Sequence, residues 1–350
     1  MVILAFEGFP LIVGWELTLA CNLRCSHCGS SAGLPRDNEL TLKESLDICD
    51  QFPNLLVQEV DFTGGEPLLR DDWHLIAGHL NDLGITTQLI TNGLALDPWT
   101  ISKIKEAGVR GVAISLDGLE ATHDKIRGCK GLHSRVLGSM QLLHDEGIAV
   151  TAITTASALN INELPSILDL VISSGADCWQ IQPIFPLGRV KASNELRLSE
   201  QEYIQLGRFI KEIGPKAEES GLRVSPADSC GYFTGLDERK PRWRGCNAGQ
   251  VTCGIISDGK VKGCLSMPDE LIEGDLRERD LWDIWFHPDS FAYTRRCSTE
   301  DMGPNCIGCD KTEECLGGCS SMSYGSTGSF HNDPYCFYGI YARNKQVIAQ

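Results

Sequence analysis

Apolar and polar positions alternate with two different periods along the first 220 or so residues, and the switch between them is regular. Short runs rich in β-branched residues or flanked by turn residues read as strands: IVGWELT (12–18), VQEVDF (57–62), ITTQLI (85–90), VRGVAIS (109–115), IAVTAIT (148–154) and CWQIQPI (178–184). Between them apolar residues recur at helical spacing. Ile101, Ile104 and Ala107 share one face of a helix that opens at Asp97-Pro98, an N-cap followed by a proline at the first helical position. Thr41-x-x-Glu44 and Ser199-x-x-Glu202 have the spacing of capping boxes. Gly84, Gly108, Gly147 and Gly175 stand just past periodic runs, as helix C-caps do. Six successive βα units predict an α/β fold with a parallel sheet and helices outside it. Six are too few for an eight-stranded barrel, so a partial (β/α)6 TIM-like barrel or a doubly wound sheet is expected, with ligands gathered at the C-terminal strand ends.

After about residue 225 the periodicity fades while Cys, Gly and Pro increase. A poorly cored segment of that kind needs staples, and metal is the expected one. Two domains follow: a larger one over 1–225, and a small Cys-rich one over 226–350 that ends in a helix. Composition is that of a globular protein, with 42% hydrophobic and 22% charged residues. A net charge of -16 supplies no basic face for a phosphate backbone, so nucleic acid is not expected as a partner. The apolar start, MVILAFEGFPLIVGW, lacks a basic region and is broken by Glu7, Pro10 and then Glu16. No run reaches the ~18 apolar residues of a membrane span. A cytoplasmic protein with no membrane association is expected.

Sixteen cysteines change that picture. In a reduced compartment such clustering points to metal or catalysis. Three sit in CNLRCSHC (Cys21, Cys25, Cys28), directly after the first strand, and nine lie from Cys246 to Cys336. Three thiolates can hold three irons of a [4Fe-4S] cluster and leave the fourth open to a ligand. The alternative is a zinc site completed by His27. The later strand ends carry Thr63-Gly64-Gly65-Glu66-Pro67, then Thr91-Asn92-Gly93, then Ser115-Leu116-Asp117-Gly118 with Arg127 beyond it. Each alone is an ordinary turn; with the cysteine loop they make four strand ends in succession at one end of a sheet, and together they form a candidate site.

The C-x3-C-x2-C, GGEP and SxDG motifs together resemble the radical S-adenosylmethionine (SAM) superfamily, over nearly the whole chain. The resemblance implies a cluster on Cys21, Cys25 and Cys28 whose open iron takes the amino and carboxylate groups of SAM. Gly64, Gly65 and Glu66 would meet the SAM amino group, and Asn92, Ser115, Asp117 and Arg127 its ribose and carboxylate. His27 would lie near the adenine, where the family usually has Tyr or Phe. The C-terminal cysteines resemble the SPASM extension of many such enzymes, with two zinc ribbons as the alternative. That resemblance implies one auxiliary [4Fe-4S] cluster on Cys246, Cys253, Cys264 and Cys319, and another on Cys306, Cys309, Cys315 and Cys336, with Cys297 a possible spare. Three [4Fe-4S] clusters and SAM are therefore the expected cofactors.

The implied activity is reductive cleavage of SAM to a 5'-deoxyadenosyl radical. This radical takes hydrogen from a peptide or protein and leaves an oxidative change such as a crosslink or a dehydrogenation. Strand one begins too early for an N-terminal leader-recognition domain, so a separate recognition protein is expected as a partner, beside an electron donor such as flavodoxin or ferredoxin. In sulfatase maturases the residue after the third auxiliary cysteine is acidic; here it is Leu265, which disfavours that role. The alternative is a small-molecule enzyme, decarboxylating a haem precursor or dehydrogenating a sugar or alcohol, with Arg189 and Lys191 as candidate counter-charges. No acid, base or donor is assigned by the motifs. Cys129, two residues after Arg127, is the candidate hydrogen-atom donor.

Overall fold

The computed structural model describes residues 8–192, 194–231 and 245–348. Residues 1–7 of the apolar start and residues 232–244, early in the expected second domain, lie outside the described residues. Ten strands occur among the described residues: β1 (Ile12–Thr18), β2 (Glu59–Gly64), β3 (Thr86–Thr91), β4 (Gly111–Ser115), β5 (Ala149–Ala156), β6 (Cys178–Pro183), β7 (Arg223–Pro226), β8 (Thr252–Ile255), β9 (Lys260–Lys262) and β10 (Gly274–Asp275). The six sequence-predicted strands are present with ends shifted by at most two residues, and helices separate them, so the fold is α/β. The chain forms two compact units, each discontinuous in sequence. One comprises 1–24, 32–113 and 247–297, and the other 25–31, 114–246 and 298–350. Asn247–Cys297 joins the first strands in the first unit.

In the first unit β8, β1, β2 and β3 run parallel, and β9 and β10 continue antiparallel from β8. Alternation along β1 puts Val13, Trp15 and Leu17 on a fully buried face. Phe52 and Phe62 meet the Trp15 ring edge-on at 5.9 and 6.2 Å, the favoured geometry for aromatic pairs. The opposite face, carrying Gly14, Asp61 and Gln88, is only half-buried. Helix Leu42–Cys49 opens with the predicted Thr41/Glu44 capping box, and helix Pro98–Glu106 with Asp97 accepting from the Thr100 N–H at 2.8 Å.

In the second unit β5, β6 and β7 are parallel. Trp179 of β6 is buried; its indole N–H donates to Thr154 Oγ1 at 2.8 Å and its ring abuts Phe209. The helix Glu200–Glu219, capped by Ser199/Glu202, packs Tyr203 against Tyr335 and Phe337 at the start of the C-terminal helix Phe337–Ile348. Strands β7 and β8 were not predicted. Each is four residues long, and RVSP and TCGI carry too little alternation to register as strands; their pairing to β6 and β1 decides them. Among the described residues no helix is long and apolar enough to cross a membrane.

Candidate functional site

In the first unit the candidate residues converge through backbone. Gly65 and Glu66 donate their N–H groups to the carbonyls of Thr18 and Ala20, both at 2.8 Å. This draws the GGEP segment onto the loop that leads to Cys21. A Cβ on Gly65 would fall 2.1 Å from the Ala20 oxygen, and one on Gly64 (φ +138°) 2.3 Å from the Thr18 oxygen. The two glycines are therefore demanded by a close approach of the chain to itself. Glu66 is buried and ties the next strand end: it accepts from Thr91 Oγ1 at 2.7 Å and from the Asn92 N–H at 2.8 Å. The Asn92 amide donates to Asn22 Oδ1 at 2.8 Å and lies 4.0 Å from Cys21 Sγ. Cys21, Glu66 and Asn92 are thus one connected set.

In the second unit Cys25 and Cys28 are held on a short loop by groups far away in sequence. The Cys28 N–H donates to the Cys25 carbonyl at 3.3 Å, and Ser26 donates its N–H to the Ile126 carbonyl at 2.8 Å. Arg189 supports the loop twice, its Nε donating to the Cys25 carbonyl at 2.7 Å and its N–H to the Cys28 carbonyl at 3.1 Å. Gly188, at φ +55°, permits this: a Cβ there would sit 2.2 Å from the Gly29 oxygen. Arg189, considered from sequence as a substrate counter-charge, is here a support of the cysteine loop.

Asp117 is the hub of this half. Fully buried, it accepts from His27 Nε2 at 2.7 Å, from Arg127 Nε at 2.6 Å and from the Thr155 N–H at 2.9 Å. Burial alone would raise its pKa, but the Arg127 guanidinium and the His27 ring hold the carboxyl well below the usual carboxylate range. The Asp117 N–H donates to His123 Nδ1 at 3.1 Å, so that nitrogen is an acceptor; burial pushes His123 down to about 4 and keeps it neutral. Arg127 also reaches Cys25 Sγ at 3.8 Å. Burial raises the Cys25 thiol and Arg127 opposes that rise. Asp117 and Arg127, matched by motif to the ribose and carboxylate of SAM, pair with each other, Asp117 also holding His27 and Arg127 reaching Cys25. The His27–Asp117 bond spans 90 residues and had no sequence signal. Ser115 is half-buried at the end of β4. Cys129 follows the left-handed Gly128 cap of helix Glu120–Arg127, its N–H on the Asp124 carbonyl, and among the described residues no bond links it to this network.

Four further cysteines, Cys306, Cys309, Cys315 and Cys336, line a single cavity in the second unit together with Gly317 and Gly318. The cavity is made by tight backbone. The Cys309 N–H donates to the Cys306 carbonyl at 3.1 Å, Lys311 donates its N–H to Cys309 Sγ at 3.5 Å, and Gly317 (φ +85°) lets the chain pass where a Cβ would be 2.4 Å from His331 Cα. Asp333, also lining it, is buried and pushed up to about 7 by that burial. Four thiols around one cavity fit the donor set of a four-iron cluster. Among the described residues no three His, Cys, Asp or Glu side chains converge closely enough for a single metal ion. Of the other expected set, Cys253 on β8 and Cys264 after β9 belong to the first unit, and Cys246 and Cys319 to the second.

Comparison with known proteins places these motifs in a family. Residues 15–171 match the model of the radical SAM superfamily, and residues 246–310 match the SPASM iron–sulfur cluster-binding domain. An AdoMet-dependent heme synthase of Methanosarcina barkeri is 29% identical over 96% of this chain and 98% of its own. A mycofactocin maturase, MftC of Mycolicibacterium smegmatis, is 27% identical over 90% of this chain and 79% of its own. Among solved structures, Streptococcus suis SuiB bound to S-adenosylmethionine superimposes with a TM-score of 0.78 at 19% identity, over 94% of this chain and 77% of that one.

Proposed function

Because the chain belongs to the radical SAM superfamily and carries a SPASM domain, we propose that it oxidises a peptide or protein by hydrogen abstraction, with Cys21, Cys25 and Cys28 holding the SAM-binding cluster. When bound, that cluster supplies the electron that splits SAM into methionine and a 5'-deoxyadenosyl radical. Gly64, Gly65, Glu66, Asn92 and Ser115 form the SAM-facing surface, while Asp117 and Arg127 orient His27 beside the cysteine loop. Residues 1–225 carry these groups and residues 226–350 the auxiliary cysteines. The observation that carries the oxidative reading is the cavity with four cysteines, Cys306, Cys309, Cys315 and Cys336. A cluster held by four protein thiolates has no open iron for substrate, so its use is electron transfer. The other auxiliary set is Cys246, Cys253, Cys264 and Cys319.

The peptide reading is favoured over a polycarboxylate substrate by charge. The chain carries -16, and the arginines near the strand ends are committed: Arg127 to Asp117, Arg189 to the Cys25 carbonyl and Arg36 to Glu16. A leader-recognition protein and a flavodoxin or ferredoxin in the cytoplasm complete the system. One observation favours a second reading, a tetrapyrrole substrate: the heme synthase match runs end to end in both chains. Anaerobic reconstitution followed by SAM and dithionite, with either a peptide encoded beside the gene or iron-coproporphyrin III, separates them. The peptide reading expects 5'-deoxyadenosine together with a peptide lighter by a pair of hydrogens. Loss of carboxyl groups from the porphyrin with an unchanged peptide overturns it in favour of the second. Failure of the reduced protein to cleave SAM overturns both.

A further inference from the structure

One row of residues crosses the half-buried face of the first unit's sheet. In register across β8, β1, β2 and β3 stand Gly254, Gly14, Asp61 and Gln88. Register partners in parallel strands point to the same face. The row is fixed independently by Leu265. A Cβ on Gly14 would meet the Leu265 side chain at 3.2 Å, and one on Gly254 would meet the Leu265 backbone nitrogen at 2.9 Å. The two glycines are the seat on which the segment after Cys264 rests, and Asp61 is the next position along the row. Asp61 lies three residues before Gly64, roughly 10 Å at the rise of a strand, below the strand end where the SAM-facing groups gather.

The strands carry several carboxylates, and most are occupied. Glu16 is bonded to Arg36 and to the Ser257 hydroxyl, and Asp117 to His27, Arg127 and Thr155. At the end of β2, Glu66 is bonded to Thr91 and Asn92. Among the described residues no donor or cation bonds to the Asp61 carboxyl. Charged groups on its face are Glu59 on its own strand, Glu16 on β1, neutralised by Arg36, and Lys262 on β9, in register with Gly254 and committed to the Met267 carbonyl and Asp269. β3 presents Thr86, Gln88 and Ile90, and the overlying segment presents Leu265, none of them charged. Burial, with Glu59 adding repulsion, pushes Asp61 up to about 7. That is the range in which a carboxylate both accepts and holds a proton at neutral pH. Nothing in the packing of unit one requires an acid here, since its neighbours across the row are two glycines and an amide.

We propose that Asp61 is the general base of the oxidation. The inference rests on the hydrogen-abstraction reading above. The substrate loses one hydrogen atom to the 5'-deoxyadenosyl radical, which becomes 5'-deoxyadenosine. It then loses one electron to an acceptor of the iron–sulfur class and one proton to the Asp61 carboxylate. Two hydrogens leave in total, and the product gains one bond.

The test is Asp61→Asn, which keeps the shape and removes the basicity, with Asp61→Glu as the conservative partner. The gene-adjacent peptide serves as substrate, since decarboxylation of a porphyrin would release carbon dioxide in place of the proton. The Asp61→Asn variant is expected to form 5'-deoxyadenosine near the wild-type rate while oxidised product falls about a hundredfold or more, the scale of a positioned general base. Asp61→Glu restores part of the product, and the acid limb of the wild-type pH profile disappears in the amide variant. Product within a few-fold of wild type in Asp61→Asn overturns the proposal. A second readout needs no substrate: infrared titration of protein labelled with carboxyl-13C aspartate. The expected result is a protonated-carboxyl band, absent in the Asp61→Asn variant, that persists to about pH 7. A band lost near the ordinary aspartate value of about 3.9 overturns the proposal even if the wild type does not oxidise the peptide, an outcome that by itself counts only against the functional reading.

Discussion

Two cysteine regions of the second unit are held in opposite ways. The loop of Cys25 and Cys28 is positioned by charge at long range: Asp117, 90 residues away, grips His27 and Arg127, and Arg189 grips the loop carbonyls. The cavity of Cys306, Cys309, Cys315 and Cys336 is positioned by local turns and two left-handed glycines. A charged scaffold under a thiolate loop sets the electrostatics felt there as well as its shape. The turn-built cavity takes its shape from the backbone, with Lys311 and Asp333 beside its four thiols. The contrast fits the proposed roles, an open iron for chemistry and a closed cluster for electron transfer.

The largest expected effect breaks the charged scaffold alone. Arg127→Ala leaves the Asp117 carboxylate buried with only His27 to offset it. Removing one partner of a buried pair costs about 3–5 kcal/mol. Chemical denaturation of the variant should show a loss of that size, whereas Lys311→Ala beside the cavity, on a half-buried side chain, should fall within ~1 kcal/mol of wild type. A loss near 1 kcal/mol in Arg127→Ala would place the hold on the loop elsewhere.

The next effect reads the same scaffold through pH. His123 is buried beneath Asp117 and neutral, with its folded pKa lowered to about 4. The unfolded chain protonates near the ordinary histidine value of about 6.5. Between those values the unfolded state holds more protons, so stability falls as pH falls from about 6.5 to 4, by at most about 3 kcal/mol. His123→Gln should flatten that part of the stability profile and leave the region above pH 7 unchanged. An equally steep profile in the variant would assign the acid sensitivity to other groups.

Much of this was legible in the sequence, for reasons that differ by element. Spacing within a loop is local, so CNLRCSHC and the cysteines of 306–319 announced their chemistry directly. Capping boxes at Thr41 and Ser199 are equally local, and both form. The hub at Asp117 was not legible, because its partners come from three separated segments and each motif residue looked outward when read alone. Gly64 and Gly65 were legible as glycines that matter, but the reason is the carbonyls of Thr18 and Ala20 and not only a ligand. Asp61 was hidden inside a strand, VQEVDF, where a polar residue on every second position is ordinary alternation. Only the register that sets it beside Gly14 and Leu265 distinguishes it from a solvated face.

The smallest effect, and the most discriminating, compares two glycines. Gly188 lets Arg189 support the Cys25–Gly29 loop, and Gly317 lets the cavity wall pass His331. Alanine at either must adopt a left-handed conformation and displace backbone, at about 1–3 kcal/mol. The stability losses should therefore be alike, but the functional losses should separate. Gly188→Ala moves the open-iron loop and should weaken SAM binding and cleavage while the iron–sulfur content of the cavity stays intact. Gly317→Ala should lower iron per chain by about one cluster of the three implied by eleven thiolates and leave SAM cleavage near the wild-type rate. Iron analysis beside 5'-deoxyadenosine formation on the same preparations reads both. Loss of SAM cleavage in both variants would mean that the two cysteine regions are not separately built, and the contrast between a charged, open scaffold and a closed, turn-built one would fall.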